Sequence, residues 1–191
     1  MSYSIIARFY KKVEIKFAFG YHEFMNIQSL DCQAWFLRLP LSQRELIKQS
    51  FYLLIDAKEK KLRMFDYAYI LMPAAKAYEG FVKDLVYSLH LISEKRYFGR
   101  RFRVGRALNP EYANREPDGF EALYDDLARL CGGEEIAAAL WDTWLQCRNQ
   151  VFHYFVQKQH NFSLFEAEEK LNLIIKTIKT SSFACKLQKD N

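Results

Sequence analysis

Apolar and polar residues alternate over the first twenty positions, and from about residue 42 the apolar positions fall into a helical rhythm. Ile5, Ala7, Phe9, Val13, Ile15, Phe17 and Phe19 carry the alternation, with charges mostly on the even positions, as in one or two half-buried strands. Ile5, Phe9, Val13 and Phe17 also match a helical spacing. Residues 1–39 are therefore an N-terminal extension of undetermined structure with strand as one of its options. Ser42-Gln43-Arg44-Glu45 reads as a capping box and predicts a helix over 42–58. A longer pattern through Ala68, Leu71, Met72, Ala75, Val82, Leu85, Val86 and Leu89 predicts a helix over 66–92, with Pro73 as a kink or a late start. Residues 93–118 read as a connector that contains Asn109-Pro110 and leads into the Pro117-Asp118-Gly119 turn. A short helix over 120–131 is closed by Gly132-Gly133. Glu134 and Glu135 open the next, predicted to reach 157, and Ser163-Leu164-Phe165-Glu166 caps a last helix running to about 179 or beyond. These elements make a mainly α chain: an antiparallel bundle of four to five helices over 40–191, with one long crossover.

Composition supports a single core. Of 191 residues 50% are apolar and 16% aromatic, and glycine and proline are scarce, which argues against a turn-rich β design or a disordered chain. The net charge of +5 is modest but partly gathered. Lys95, Arg96, Arg100, Arg101, Arg103 and Arg106 lie together without an acid, interleaved with Tyr97, Phe98 and Phe102. Guanidinium groups pair with phosphate oxygens and rings stack on unpaired bases, so this segment is a candidate RNA-binding patch; the plainer reading is a solvated basic loop. Cys32, Cys131, Cys147 and Cys185 show no metal-binding spacing and are expected to be reduced, buried thiols. Arg8, Lys11, Lys12, Glu14 and Lys16 interrupt the early apolar residues, so neither a signal core nor a membrane span is expected and a cytoplasmic location is.

Two charges fall where apolar residues are expected. On the helix predicted over 134–157 the apolar stripe is Ala137, Leu140, Trp141, Trp144, Val151, Phe152 and Phe155, and Arg148 occupies a slot within it. On the helix predicted over 66–92, Glu79 falls between Ala75 and Val82. An unpaired buried charge is costly, so Glu79 and Arg148 are expected to pair, or to line one polar cleft. A purely structural ion pair is the alternative. The other side of the Arg148 helix holds Gln146, Asn149, Gln150, His153 and Gln157, polar but without permanent charge, which suits a contact surface. Asn149 and His153 are four apart and expected on one face, whereas Arg148 and His153 stand about 140° apart around an ideal helix. Bringing those two to one phosphate needs long side chains, a local distortion of the helix, or a second copy across a dimer interface.

Arg148-Asn149-Gln150-Val151-Phe152-His153, late in a helical bundle, resembles the R-x4-6-H motif of HEPN ribonuclease domains, in which the residue after the arginine is often Asn, Asp or His. The segment AYEGFVKDLVYSL around Glu79 resembles an earlier helix of these domains, particularly of the C-terminal domain of RNase LS-type toxins. The resemblance covers about residues 42–187, and residues 1–39 resemble nothing in it. It implies a HEPN-like bundle with catalytic Arg148, His153, Asn149 and Glu79, and cleavage of RNA without a metal or other cofactor. It also implies a toxin or phage-defence role, a homodimer with a composite active site, and an antitoxin protein as a further partner. His153 would move a proton to or from the 2′-hydroxyl or the leaving 5′-oxygen, and Arg148 would hold the scissile phosphate. Asn149 would bind a phosphate oxygen or orient His153, and Glu79 would orient Arg148 or share in proton transfer. Two other readings stay open: a HEPN-like module that binds a protein or a nucleotide without catalysis, and a helical scaffold unrelated to nucleic acid.

Overall fold

The computed structural model describes residues 27–61, 63–112, 122–153, 156 and 161–185, and among these the chain is helical with no strand. The strand option for residues 5–19 lies outside them. Short helices α1 (Ile27–Leu30) and α2 (Ala34–Leu37) come first. Then follow α3 (Leu41–Glu59), α4 (Ala68–Ser88), α5 (Glu94–Tyr97), α6 (Val104–Ala107) and α7 (Tyr124–Leu130). Helix α8 (Glu134–Trp144) continues through a π-helical turn, Leu145–Asn149, into α9 (Gln150–Phe152), and α10 (Leu164–Ala184) ends the described chain.

The frame is a four-helix arrangement. α3 and α4 form an antiparallel hairpin, with Gln43 opposite Gly80 and Asp84, and Ser50 opposite Ala74. Pro73 lies in the second turn of α4, and the neighbouring Ala74 amide donates to Ser50 Oγ (2.9 Å). α8 and α10 form the second antiparallel pair, with a buried hydrogen bond between Thr143 and Thr177 (2.8 Å). Ile47, Leu54, Ile70, Tyr78, Leu140, Leu171 and Ile174 fill the space between the pairs. Tyr78 is fully buried and donates its hydroxyl to the Leu140 carbonyl (2.7 Å), so the one polar atom of a large core side chain is satisfied. Burial holds its hydroxyl well above the usual tyrosine pKa. The described part of the N-terminal extension joins this core: Leu30, Trp35 and Phe36 are buried in it. Burial thus begins well before residue 40.

Two local expectations fail for physical reasons. Ser42 does not cap α3, because Pro40, with φ fixed near −52°, stands at the N-cap and Ser42 is already inside the first turn. The helix predicted to run to 157 stops at Phe152, and His153 is extended (φ −115°, ψ 134°). The second capping box forms as expected: Glu166 donates its amide to Ser163 Oγ, and Ser163 donates its amide to Glu166 Oε2 (2.8 Å). Gly132 and Gly133 both take positive φ after α7, at 84° and 138°.

The cysteines also depart from expectation. Cys131, just after α7, and Cys185, just after α10, form a disulfide across 54 residues. Cys32 is exposed, and Cys147 alone matches the expected buried free thiol. No helix among the described residues is long and apolar enough to cross a membrane.

Candidate active-site cleft

The site grows from the register of α8. Its inward stripe runs Ala137, Leu140, Thr143 and then Cys147, all buried against α4 and α10. Cys147 donates to the Lys170 carbonyl, and burial pushes its thiol up to about 12, so it is a packing residue rather than a nucleophile. Holding Cys147 inward aims the next residue, Arg148, at the edge of α4. There its Nε donates to Glu79 Oε2 at 2.9 Å, the pair expected from the two interrupted stripes.

The pair is at a rim rather than in the core. The Arg148 side chain is 27% exposed and that of Glu79 41%. An ion pair this open to water contributes about 0–1 kcal/mol to stability. Only Nε is used by Glu79, and among the described residues no acceptor meets the terminal amino groups of Arg148. The guanidinium carbon lies 5.8 Å from the Trp144 ring and 5.3 Å from the Phe152 ring, so residues four before and four after Arg148 hold it between two aromatic faces. The arginine is oriented and keeps donors to offer.

A π turn, Leu145–Asn149, distorts the helix at Arg148. Gln150 donates its amide to the Leu145 carbonyl, five residues back rather than four. The turn lies mostly before Arg148, and α9 separates it from His153, which is not among the residues that line the cleft. The helix then ends, and His153 follows in extended, exposed backbone. The expectation that Asn149 and His153 share a helical face fails because no helix reaches His153; Asn149 is half-buried within the π turn. Gln146 is drawn off to α10, where its Oε1 accepts from Lys170 Nζ (2.7 Å). Gln157 lies outside the described residues.

A cleft of about 620 Å³ opens where the pair sits. α4 lines it with Met72, Pro73, Lys76, Glu79, Gly80 and Lys83, α3 adds Leu46, and Arg148 and Phe152 come from the π turn and α9. Three cations and one carboxylate thus border an apolar surface. Lys76 and Lys83 did not stand out in the sequence, since lysines at helical spacing normally mark a solvated face. The signal that could have found them is their spacing around Glu79, three residues before and four after, on one face of α4.

The basic segment docks beside this cleft. Tyr97 of α5 stacks on Tyr87 (4.4 Å) and donates its hydroxyl to Asp84 Oδ1 (2.6 Å), while Gln43 donates to Asp84 Oδ2 (2.6 Å). The hydrogen bond to Asp84, followed by burial, pushes the Tyr97 hydroxyl up to about 12. Lys83 lies over the Tyr97 ring (5.6 Å), so one side chain belongs to both the cleft and the edge of the basic segment. Lys95, Arg100, Arg101 and Arg103 are exposed, whereas Arg96 and Arg106 are half-buried, with Arg106 over the Tyr112 ring. The six cations are thus divided between open and partly covered positions. Among the described residues, no group of three or more His, Cys, Asp or Glu side chains is arranged to hold a metal. No protein-family model, curated protein or solved structure matches the chain.

Proposed function

We propose that this chain is a HEPN-type endoribonuclease that cleaves single-stranded RNA without a metal. The observation that carries the reading is Arg148: held by Glu79 through Nε, close to two rings, lining an open cleft with its terminal amino groups unmatched among the described residues, and followed five residues on by a histidine just past the end of α9. A guanidinium fixed in this way suits a phosphodiester whose negative charge grows in the transition state.

In this reading the RNA 2′-hydroxyl attacks the adjacent phosphorus, the bond to the 5′-oxygen breaks, and a 2′,3′-cyclic phosphate and a 5′-hydroxyl result. His153 takes the proton from the 2′-hydroxyl or gives one to the 5′-oxygen. Arg148 binds the non-bridging oxygens and Glu79 holds it in place. Asn149 donates to the phosphate or steadies His153. Arg148 and His153 of one chain, or of two chains meeting at this face, act on one phosphate; exposed Phe152 and Val156 beside His153 give a homodimer an apolar surface to bury. An antitoxin protein is a second candidate for that surface, in keeping with a toxin or phage-defence role in the cytoplasm.

The same exposed apolar residues favour the rival reading, a non-catalytic HEPN-like module that binds a protein partner. A single 2′-deoxy sugar at the cut site separates the two. The ribonuclease binds such an RNA and leaves it intact while cutting the all-ribose strand; equal treatment of both strands would sink the proposal, because only the ribose carries the internal nucleophile.

A further inference from the structure

Within α4, Lys76, Glu79 and Lys83 lie along the cleft, so the Glu79–Arg148 pair has a lysine on either side. At 1.5 Å rise per residue the two lysines are rooted about 10 Å apart along the helix axis. Neither lysine is ion-paired among the described residues. Lys48, Lys58 and Lys60 do pair, with Asp31, Glu168 and Asp56, whereas Lys76 and Lys83 share the cleft with a single carboxylate, Glu79, that Arg148 already engages. The cleft therefore carries a net positive charge next to apolar surface.

The cleft is also continuous with the basic segment. Lys83 reaches over Tyr97, which Asp84 and Tyr87 pin to α4, and the Phe98 ring beyond it is 73% exposed. Phe98 meets Tyr97 edge to face (4.9 Å), so the exposed ring is braced by a fixed one. Cations at intervals, an apolar strip and a braced, exposed ring match what an unpaired nucleic-acid strand presents: regularly spaced phosphates and stackable bases.

Resting on the ribonuclease reading for the identity of the ligand, we propose that Lys76 and Lys83 bind the phosphates on either side of the scissile one. The strand then leaves the cleft over Tyr97, and Phe98 stacks one of its bases. Cations spaced along one face fit a chain of phosphates better than a single anion. A braced aromatic has a use for a base that it lacks for an acidic peptide.

The test uses the whole chain and a fluorescent single-stranded RNA with 2′-O-methyl sugars, which binds without being cut. Anisotropy titrations over a range of KCl give the affinity and its salt dependence. The Lys76→Gln/Lys83→Gln variant is expected to lower the slope of log affinity against log salt by about 1.4, for two lost phosphate contacts on a single strand. Affinity falls at most about fivefold per lysine. Phe98→Ala is expected to lose about fivefold or more with the slope unchanged. Lys176→Gln/Lys179→Gln, two exposed lysines of α10 that do not line the cleft, is the charge-matched control, and melting curves confirm that each variant folds. A lysine variant with the slope and affinity of the wild type overturns the proposal. So does competition by poly-glutamate as effective as that by RNA, which would make the cleft an acidic-peptide site. Binding with the expected pattern, but no cutting of natural RNA, supports the strand path and removes the ribonuclease reading. Cutting with unaltered KM in the Lys76→Gln/Lys83→Gln variant removes the path and leaves that reading intact.

Discussion

Gly105 of α6 lies against the indole of Trp144 so closely that a Cβ there would fall 2.1 Å from the Trp144 Cζ2 atom. The rigid ring has little freedom to yield, because it also stacks on Trp141 (5.5 Å between centroids) and meets Arg148. This contact fastens the end of the basic segment to the helix that carries the candidate site. Gly105→Ala is therefore expected to push α6 outward and destabilise the protein by about 1–3 kcal/mol, the usual cost of overpacking. Urea unfolding measures it, and a variant within experimental error of the wild type would mean that the ring moves aside freely.

Glu79 and Arg148 invite separate treatment of stability and activity. Their pair is partly solvated, so Glu79→Gln is expected to change unfolding free energy by less than about 1 kcal/mol. Arg148→Ala removes the group proposed to stabilise transition-state charge and is expected to lower RNA cleavage by about 10²–10³-fold. Denaturation curves beside cleavage rates show whether the two effects part company. A large stability loss in Glu79→Gln with unchanged cleavage would mark the pair as structural.

The Tyr97–Asp84 hydrogen bond makes stability depend on alkaline pH. The Tyr97 hydroxyl titrates near 12 in the folded chain and near its ordinary value of about 10 in the unfolded one. Its folded pKa is raised, so its contribution is complete below about 10 and is lost as pH rises through 12. Tyr97→Phe should flatten this part of the stability–pH curve relative to the wild type. Superimposable curves between pH 9 and 12 would show that the bond contributes nothing.

The disulfide joins the start of the turn after α7 to the end of α10 and closes a loop spanning 54 positions. In the chain-entropy account, opening a loop of that length costs up to about 4 kcal/mol. Dithiothreitol is expected to lower the urea midpoint by a corresponding amount, and the Cys131→Ala/Cys185→Ala variant should no longer respond to reductant. An unchanged midpoint on reduction would show that buried thiols serve the fold equally well.

The parts of this architecture that were legible in sequence are those that local pattern determines. Glu79 and Arg148 each broke an apolar stripe, and the cost of an unpaired charge was enough to put together residues 69 positions apart. Ser163 and Glu166 capped α10 because both halves of the box were free to close. Ser42 looked identical but lost the cap position to Pro40. The π turn at 145–149 has no signature in the spacing of the apolar positions. The pairing of Cys131 with Cys185 is likewise set by where two helices end. Lys76 and Lys83 looked like solvated lysines until α3, α4 and the π turn were seen to enclose one cleft.

The central claim is that Arg148 and His153 serve metal-free transesterification of RNA. The most direct measurement incubates the purified protein and its His153→Ala variant with end-labelled single-stranded RNA in excess EDTA and identifies the product ends. The account predicts 2′,3′-cyclic phosphate ends from the wild type and none from the variant, with melting curves confirming that the variant is folded. Cleavage by the variant at the wild-type rate, or cleavage by the wild type that EDTA abolishes, would contradict it.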